Sequence, residues 1–215
     1  MTLGDNVTSA WDSYLTTSAS DWTASSVLNA VVVPGGSPLK NCKPTAGRVE
    51  VCNAKYGNNG WLGIASVWAN GDHITQGTVK MNDTYFNSRT YNTPAWRNLV
   101  LCQEVGHTIG LDHQDEEFAN PNLNTCMDYT NSPTSNQHPN LHDYKMLETI
   151  YAHLDGVASS SASTAQLGND VDTDDEKFWG REIKRSKDGR ASLYKRELGK
   201  GKNVFTHVFW AEPRK

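Results

Sequence analysis

The stretch LVLCQEVGHTIGLDHQD, residues 99–115, constrains the fold more than any other part of this 215-residue chain. On a helix, Gln103 and His107 lie one turn apart and point the same way. Gly110 then allows the chain to turn sharply, because glycine adopts left-handed backbone conformations readily. After such a turn His113 can return to the same point in space. The sequence therefore predicts that Gln103, His107 and His113 converge at the end of a helix.

Three converging side chains of this kind are suited to a metal ion. Zinc prefers nitrogen, sulfur or carboxylate oxygen in a tetrahedral shell, and a catalytic site leaves one position for water. Glu104, next to Gln103, is the candidate base that accepts a proton from water during attack on a peptide carbonyl. An isolated E-x-x-H on a helix is usually only a polar face. Here Gly110 and His113 follow the E-x-x-H, and Met127 lies 14 residues after His113. This combination argues against a chance occurrence of the motif.

The motif QEVGHTIGLDH resembles the H-E-x-x-H-x-x-G-x-x-H helix of the metzincin metallopeptidases, with Gln103 in place of the first histidine. TCMDY, residues 125–129, is similar to the Met-turn of that clan. The order of strands and helices over residues 5–155 is most similar to the matrixins. The sequence M-D-Y instead resembles the M-x-Y of astacins and serralysins.

The resemblance implies a metzincin-like zincin fold of the α+β class. Its expected parts are a twisted, mostly parallel sheet, an active-site helix and a C-terminal helix. Residues 61–68 would be the edge strand that pairs with substrate. Met127 would form a hydrophobic floor beneath the metal, and Tyr129 would bind zinc or stabilise the developing oxyanion. Without the resemblance, these two residues are an ordinary core methionine and a half-buried tyrosine.

The glutamine at position 103 leaves three interpretations open. Gln103 is a third zinc ligand through its carbonyl oxygen, in a weakened but active site. Alternatively, His107 and His113 hold zinc with Tyr129 or water while Gln103 stands behind them. In the third interpretation the chain is a pseudo-peptidase that has lost the metal and binds peptides or proteins. Because Glu104 is intact, we favour retained chemistry.

The four cysteines allow three pairings, of which Cys42–Cys52 with Cys102–Cys126 is the simplest; free buried thiols are the alternative. No C-x-x-C pair is present, which argues against a structural zinc knuckle. Disulfides would indicate an oxidising, extracellular location. No basic-then-apolar leader opens the sequence, so we expect that any secretion signal or propeptide lies outside it.

Charge divides the chain into an acidic body and a basic tail. Residues 1–176 hold 8 Lys and Arg against 20 Asp and Glu, a net charge of −12, and residues 177–215 hold 12 against 4, a net charge of +8. We expect a peptidase domain over 1–156, a Ser- and Asp-rich linker over 157–176, and a small antiparallel β-meander over 177–215. The basic tail is either a solvated surface or docks on the acidic body, as a packed extension or as a lid on the cleft.

Local patterns predict the remaining elements. Helices are expected over 6–19, 93–109 and 140–155, and strands over 26–33, 47–53, 61–68 and 74–82. Four further histidines are weaker candidates: His142 and His153 are expected to pack or cap, and His73 and His138 are weak candidates for a second ion.

The sequence thus predicts a secreted zinc endopeptidase with one catalytic Zn²⁺; Ca²⁺ has no motif to support it. The expected partners are peptide or protein substrates. Nucleic-acid binding is not expected because no binding motif is present, and no apolar run is long enough to span a membrane. We expect a monomer.

Overall fold

A computed structural model describes residues 1–152, 173–186 and 189–211. Within these ranges eight strands form one mixed sheet in the order β2-β1-β3-β5-β4-β8-β7-β6. The strands are β1 (Thr2–Asn6), β2 (Val31–Pro34), β3 (Val49–Ala54), β4 (Trp61–Asn70), β5 (His73–Asn82), β6 (Arg181–Arg185), β7 (Ala191–Gly199) and β8 (Lys202–Trp210).

The body and the tail contribute different halves of this sheet. In the body, β2, β1, β3 and β5 pair in parallel, and β4 runs antiparallel to β5. In the tail, β6, β7 and β8 pair antiparallel to one another, and β8 pairs antiparallel to β4. The fold is therefore a mixed α/β arrangement, compatible with the α+β class, and its eight-stranded sheet is mixed where a mostly parallel one was expected. The meander continues the body's sheet.

The N-terminal region differs most from the sequence-based prediction. The helix expected over 6–19 begins at Asp12, and the strand expected over 26–33 is confined to Val31–Pro34. Thr2–Asn6 forms a strand that local pattern did not predict. Partners on both sides, β2 and β3, supply backbone hydrogen bonds to this segment, so tertiary pairing outweighs its weak strand propensity.

Four α-helices lie in the described ranges: α1 (Asp12–Thr23), α2 (Asp83–Phe86), α3 (Pro94–Thr108) and α4 (Leu141–Ile150). α3 begins as predicted, because the Thr93 side chain accepts a hydrogen bond from the Trp96 backbone N–H at 3.3 Å and Pro94 occupies the first position. α4 ends at Ile150, five residues before the predicted end. His153 lies outside the described residues.

The main core lies where α1 and α3 pack on the sheet. Trp22 of α1 is fully buried and donates its indole N–H to the Cys102 carbonyl of α3 at 3.2 Å. Two disulfides, Cys42–Cys52 and Cys102–Cys126, join the cysteines that are neighbours in sequence. The second disulfide ties α3 to the loop that contains Met127.

A smaller apolar cluster covers the other face of the β4–β8 pair. It consists of Trp61 and Ile64 from β4, Val208 from β8, Trp179, and Tyr194 from β7. All five side chains are buried. Apolar packing and strand pairing therefore attach the tail to the body.

Ion pairs add to this attachment. Lys184 of the tail pairs with Asp112 at 2.7 Å, which agrees with docking of the tail on the body, one of the alternatives that the charge pattern left open. Among the residues the structure describes, no helix is long and apolar enough to cross a membrane.

Candidate functional site

The predicted convergence after α3 is present for the two histidines. His107 lies in the last turn of α3, and the chain reverses at Gly110, where φ is +93°. The Leu111 backbone N–H donates to the Gly106 carbonyl at 3.2 Å, which closes the turn. As a result, His107 Nε2 and His113 Nε2 lie 3.0 Å apart. We call these two residues the histidine pair.

Hydrogen bonds fix which nitrogen of each imidazole is unprotonated. His107 Nδ1 lies 2.8 Å from the Leu111 carbonyl oxygen, and His113 Nδ1 lies 2.8 Å from Glu116 Oε1. Both partners can only accept, so both Nδ1 atoms carry the proton, as in histidines whose Nε2 binds metal. The two bare Nε2 lone pairs then face each other. At 3.0 Å this contact is favourable only with a cation between them, either a proton or a metal ion.

Burial favours the uncharged form of His107. Removal from water lowers the pKa of His107 well below its usual range, and the nearby His113 lowers it further. A neutral imidazole is the form that coordinates metal. Nε2 atoms bonded to one zinc at about 2.0–2.1 Å in a tetrahedral shell lie about 3.3 Å apart. The observed separation therefore needs to change by only a few tenths of an ångström.

A carboxylate held by the tail orients His113. Glu116 accepts from His113, and it also receives a hydrogen bond from Ser192 at 3.1 Å and pairs with Lys184 at 3.3 Å. Burial alone would raise the pKa of Glu116, but these interactions with His113, Lys184 and Ser192 lower it. Asp112, His113 and Glu116 place possible ligand atoms within 4.8 Å of one another. Lys184 pairs with both of these carboxylates, so Asp112, Glu116 and Lys184 form an ion-pair network beside His113 Nδ1.

Gln103 lies in the buried interior at the disulfide. Its Nε2 donates to the Cys126 carbonyl at 2.8 Å, which identifies the other end of the amide as the oxygen. Gln103 Oε1 is buried and has no hydrogen-bond partner. A buried carbonyl oxygen without a partner is a suitable additional donor for a cation, although a neutral amide is a weaker zinc ligand than imidazole. The unpartnered oxygen of Gln103 is therefore a further donor atom on α3, in addition to the two imidazole nitrogens of the histidine pair.

Glu104 is completely buried between α3 and β4. A Cβ atom added at Gly63 of β4 would lie 2.7 Å from Glu104 Oε1, so glycine is what allows the helix and strand to approach this closely. Neither carboxyl oxygen of Glu104 has a partner with full hydrogen-bond geometry, and the Ala65 backbone N–H of β4 is the polar group that approaches the carboxyl. Burial raises the pKa of Glu104 well above its usual range.

The Met-turn segment lies against the same region. A Cβ added at Gly106 would lie 2.6 Å from Met127 Sδ, so Met127 contacts α3 beside His107. The Tyr129 ring lies 4.3 Å from the His113 ring, measured between centroids. Its hydroxyl donates to the Val208 carbonyl of β8 at 3.3 Å. Met127 and Tyr129 therefore lie beside the histidine pair, and the tail reaches Tyr129 as well.

His207, in β8, belongs to this location and was not identified from the sequence. Its ring stacks on His107 with centroids 3.9 Å apart and an angle of 12° between the ring planes. Burial lowers the pKa of His207 well below its usual range, and its Nδ1 has no hydrogen-bond partner. The alternation of β8 could have identified His207 from the sequence. Phe205, His207 and Phe209 share one face of the strand, and a histidine between two phenylalanines is unusual on such a face.

The weaker histidine candidates lie elsewhere. His138 Nδ1 pairs with Asp21 at 2.8 Å on the surface. His142 lies in the first turn of α4, where it is exposed. His73 starts β5, where it is exposed.

Comparisons of the chain with protein-family models, with curated proteins and with solved structures found no match.

Proposed function

We propose that the chain is a zinc-dependent endopeptidase of the metzincin type. The observation that carries this proposal is the 3.0 Å separation of His107 Nε2 and His113 Nε2, with the Nδ1 atoms held at the Leu111 carbonyl and at Glu116. In this proposal such an arrangement binds a cation, and Glu104, which is wholly buried on the same helix α3, supplies a base. Zinc is the ion that best fits two imidazoles, an amide oxygen and the motif that the sequence resembles.

In this proposal His107 and His113 hold the ion, and Gln103 Oε1 is the weaker third ligand. Zinc bound there would supply Lewis acidity toward the peptide carbonyl and would make water more acidic. Glu104 takes a proton from the attacking water and delivers it to the leaving amine. Tyr129, beside His113, directs its hydroxyl to the developing oxyanion. Met127 supports the histidine pair through its contact with α3.

A second function is favoured by the tail. β8 pairs with β4 from Asn70 opposite Lys202 to Trp61 opposite Trp210, so β4 has no free edge in this structure. A pseudo-peptidase that binds an extended strand along β4 without hydrolysing it would show this strand pairing. The amide at position 103 also weakens the metal site relative to three histidines. This second candidate is a binding module for peptides or proteins.

Hydrolysis of an unfolded protein substrate separates the two functions. The assay compares wild type with Glu104→Ala at equal zinc occupancy, on the intact chain and on chain cut within residues 157–172. We expect zinc-dependent hydrolysis by the cut wild-type protein that is lost with a chelator and in cut Glu104→Ala. Equal turnover by both proteins would remove the proposed mechanism. Zinc-replete protein that binds peptide without hydrolysing it would favour the binding module.

An extracellular location accompanies this proposal. The two disulfides require an oxidising compartment to form and persist, and secretion provides one. Labelling of free thiols in protein recovered from the producing cells and from their medium tests this location. Disulfide-bonded protein in the medium supports it, and reduced protein retained in the cytosol contradicts it.

A further inference from the structure

β8 occupies the position where a peptide substrate would pair with the body. This inference rests on the proposed function, under which substrate lies along β4. The observed register runs antiparallel over the whole of β4, with Ala65 opposite His207 and Gly63 opposite Phe209. Glu104 lies directly behind Gly63. β8 therefore runs alongside β4 past Gly63, the point where the candidate base contacts the sheet.

Two residues of the proposed site, Tyr129 and His107, contact β8. The Tyr129 hydroxyl, which would stabilise an oxyanion, donates to the Val208 carbonyl at 3.3 Å. The imidazole of His207 covers one face of His107. A peptide carbonyl of the tail thus makes the hydrogen bond expected of a substrate carbonyl, and a tail side chain covers one candidate metal ligand.

Phe209, the residue after that carbonyl, fills an aromatic pocket. Its ring centroid lies 5.2 Å from Tyr129, 6.3 Å from Trp96 and 6.4 Å from Phe118. Phe209 is 1% exposed. Tyr129 therefore contacts β8 twice, through its hydroxyl at the Val208 carbonyl and through its ring at the next side chain.

We propose that β8 is a built-in occupant of the peptide-binding edge of β4, which keeps the chain latent until the tail is released. The occupant is held on both edges, since β7 pairs with β8 along its other side. The same geometry indicates what replaces it: an extended peptide with an aromatic residue in the pocket that Phe209 occupies.

The test uses full-length chain with a specific protease site inserted within residues 157–172, so that the tail stays bound only through its contacts. The cut protein is mixed with fluorescent synthetic tail, residues 173–215, and binding is measured by anisotropy. A synthetic peptide of residues 202–211 serves as competitor. We expect the labelled tail to exchange in and the short peptide to displace it. Hydrolysis by zinc-loaded cut protein is expected to rise at least tenfold on dilution and to fall again when excess tail is added.

Two proline substitutions in the synthetic tail provide a matched pair. Thr206→Pro removes a backbone donor from a strand paired on both edges, so we expect at least tenfold weaker binding and loss of inhibition. Ile183→Pro lies at a bulge in the exposed outer strand β6, where proline is tolerated, and should bind as wild type.

Three outcomes decide the inference. Equal binding of Thr206→Pro and wild-type tail would overturn it, because binding would not depend on the pairing of β8. Hydrolysis that falls when the tail dissociates would also overturn it, since the tail would then complete the site. If zinc-loaded cut protein hydrolyses nothing, yet the 202–211 peptide displaces the tail, the peptidase proposal fails and the β4 edge stands as a peptide-binding site.

Discussion

The two faces of the β4–β8 strand pair are built from different chemistry. The far face, directed away from α3, packs Trp179 and Tyr194 against β4 and β8. There the Trp179 indole donates to the Thr173 carbonyl at 2.9 Å and the Tyr194 hydroxyl donates to Glu176 at 3.0 Å. Trp61 Nε1, a single neutral N–H, has no partner. This face is an ordinary apolar core.

The near face, directed toward α3, buries ionisable groups without hydrogen-bond partners. Both oxygens of Glu104 and Nδ1 of His207 lack one. A buried polar group without a partner costs about 1–3 kcal/mol, and more when it is charged. The far face is apolar, so this energetic cost is concentrated on the near face. We therefore infer that the function of the strand pair lies on the near face. The far face holds the tail in place, and the near face carries the candidate chemistry.

The largest expected effect separates activity from stability on the near face. Glu104→Gln keeps the shape of the side chain and removes the base, so hydrolysis should fall by about 10²–10⁴-fold. Unfolding free energy should stay within about 1 kcal/mol of wild type, because the amide oxygen of glutamine can also accept from the Ala65 backbone N–H that approaches the carboxyl. Kinetics and urea titration measure both quantities. Glu148→Gln, on the exposed side of α4, is the control and should change neither. A large stability loss in Glu104→Gln would mean that this carboxylate is structural.

On the far face the expected loss is of stability. Trp179→Ala removes a buried indole from the cluster beneath the tail, so the free energy of unfolding should fall by about 3–5 kcal/mol. The neighbouring Phe178 is 40% exposed, and Phe178→Ala should cost less than about 1 kcal/mol. Urea titration compares the two. Similar losses for both variants would show that this cluster does not anchor the tail.

Restoring a histidine sharpens the near-face interpretation. Gln103→His replaces a neutral amide oxygen by an imidazole, so zinc affinity should rise at least tenfold, about 1.4 kcal/mol. Loss of the hydrogen bond to the Cys126 carbonyl offsets part of any stability gain. Calorimetric zinc titration measures the affinity. Gln137→His, in the loop after Met127, is the control and should leave it unchanged. An unchanged affinity for Gln103→His would place position 103 outside the metal site.

The smallest expected effect is a pH dependence on the far face. Burial and the hydrogen bond to Glu176 raise the pKa of Tyr194 above its usual value of about 10. The folded state therefore favours the neutral phenol, whose stabilisation is complete below pH 10 and declines as pH rises above it. Between pH 9 and 11 this decline in the free energy of unfolding amounts to about 1 kcal/mol. Tyr194→Phe should reduce the slope of unfolding free energy against pH. An unaltered slope in Tyr194→Phe would show that Tyr194 does not cause this pH dependence.

The sequence predicted the parts of the site that depend on local geometry. Helical spacing places His107, the left-handed conformation of Gly110 returns His113, and Thr93 with Pro94 begins α3. Each depends on residues close in sequence, for which periodicity and capping are reliable guides.

Long-range pairing could not be predicted in the same way. Residues 61–68 were expected to be an edge strand, and β8 covers that edge from about 140 residues further along the chain. The contact of His207 with His107 and the hydrogen bond of Tyr129 to Val208 follow from that pairing alone. Strand β1 was missed for the same reason, since its partners β2 and β3 lie later in the sequence.

Zinc binding by the histidine pair tests the central claim most directly. Metal analysis with X-ray absorption is applied to wild type, His107→Ala, His113→Ala and the surface control His138→Ala. We expect one zinc per chain with nitrogen and oxygen neighbours at about 2.0–2.1 Å in wild type and control. Both pair variants should lose at least a hundredfold in affinity. Wild-type protein that takes up no zinc from a replete buffer, or pair variants that bind it equally well, would contradict the account.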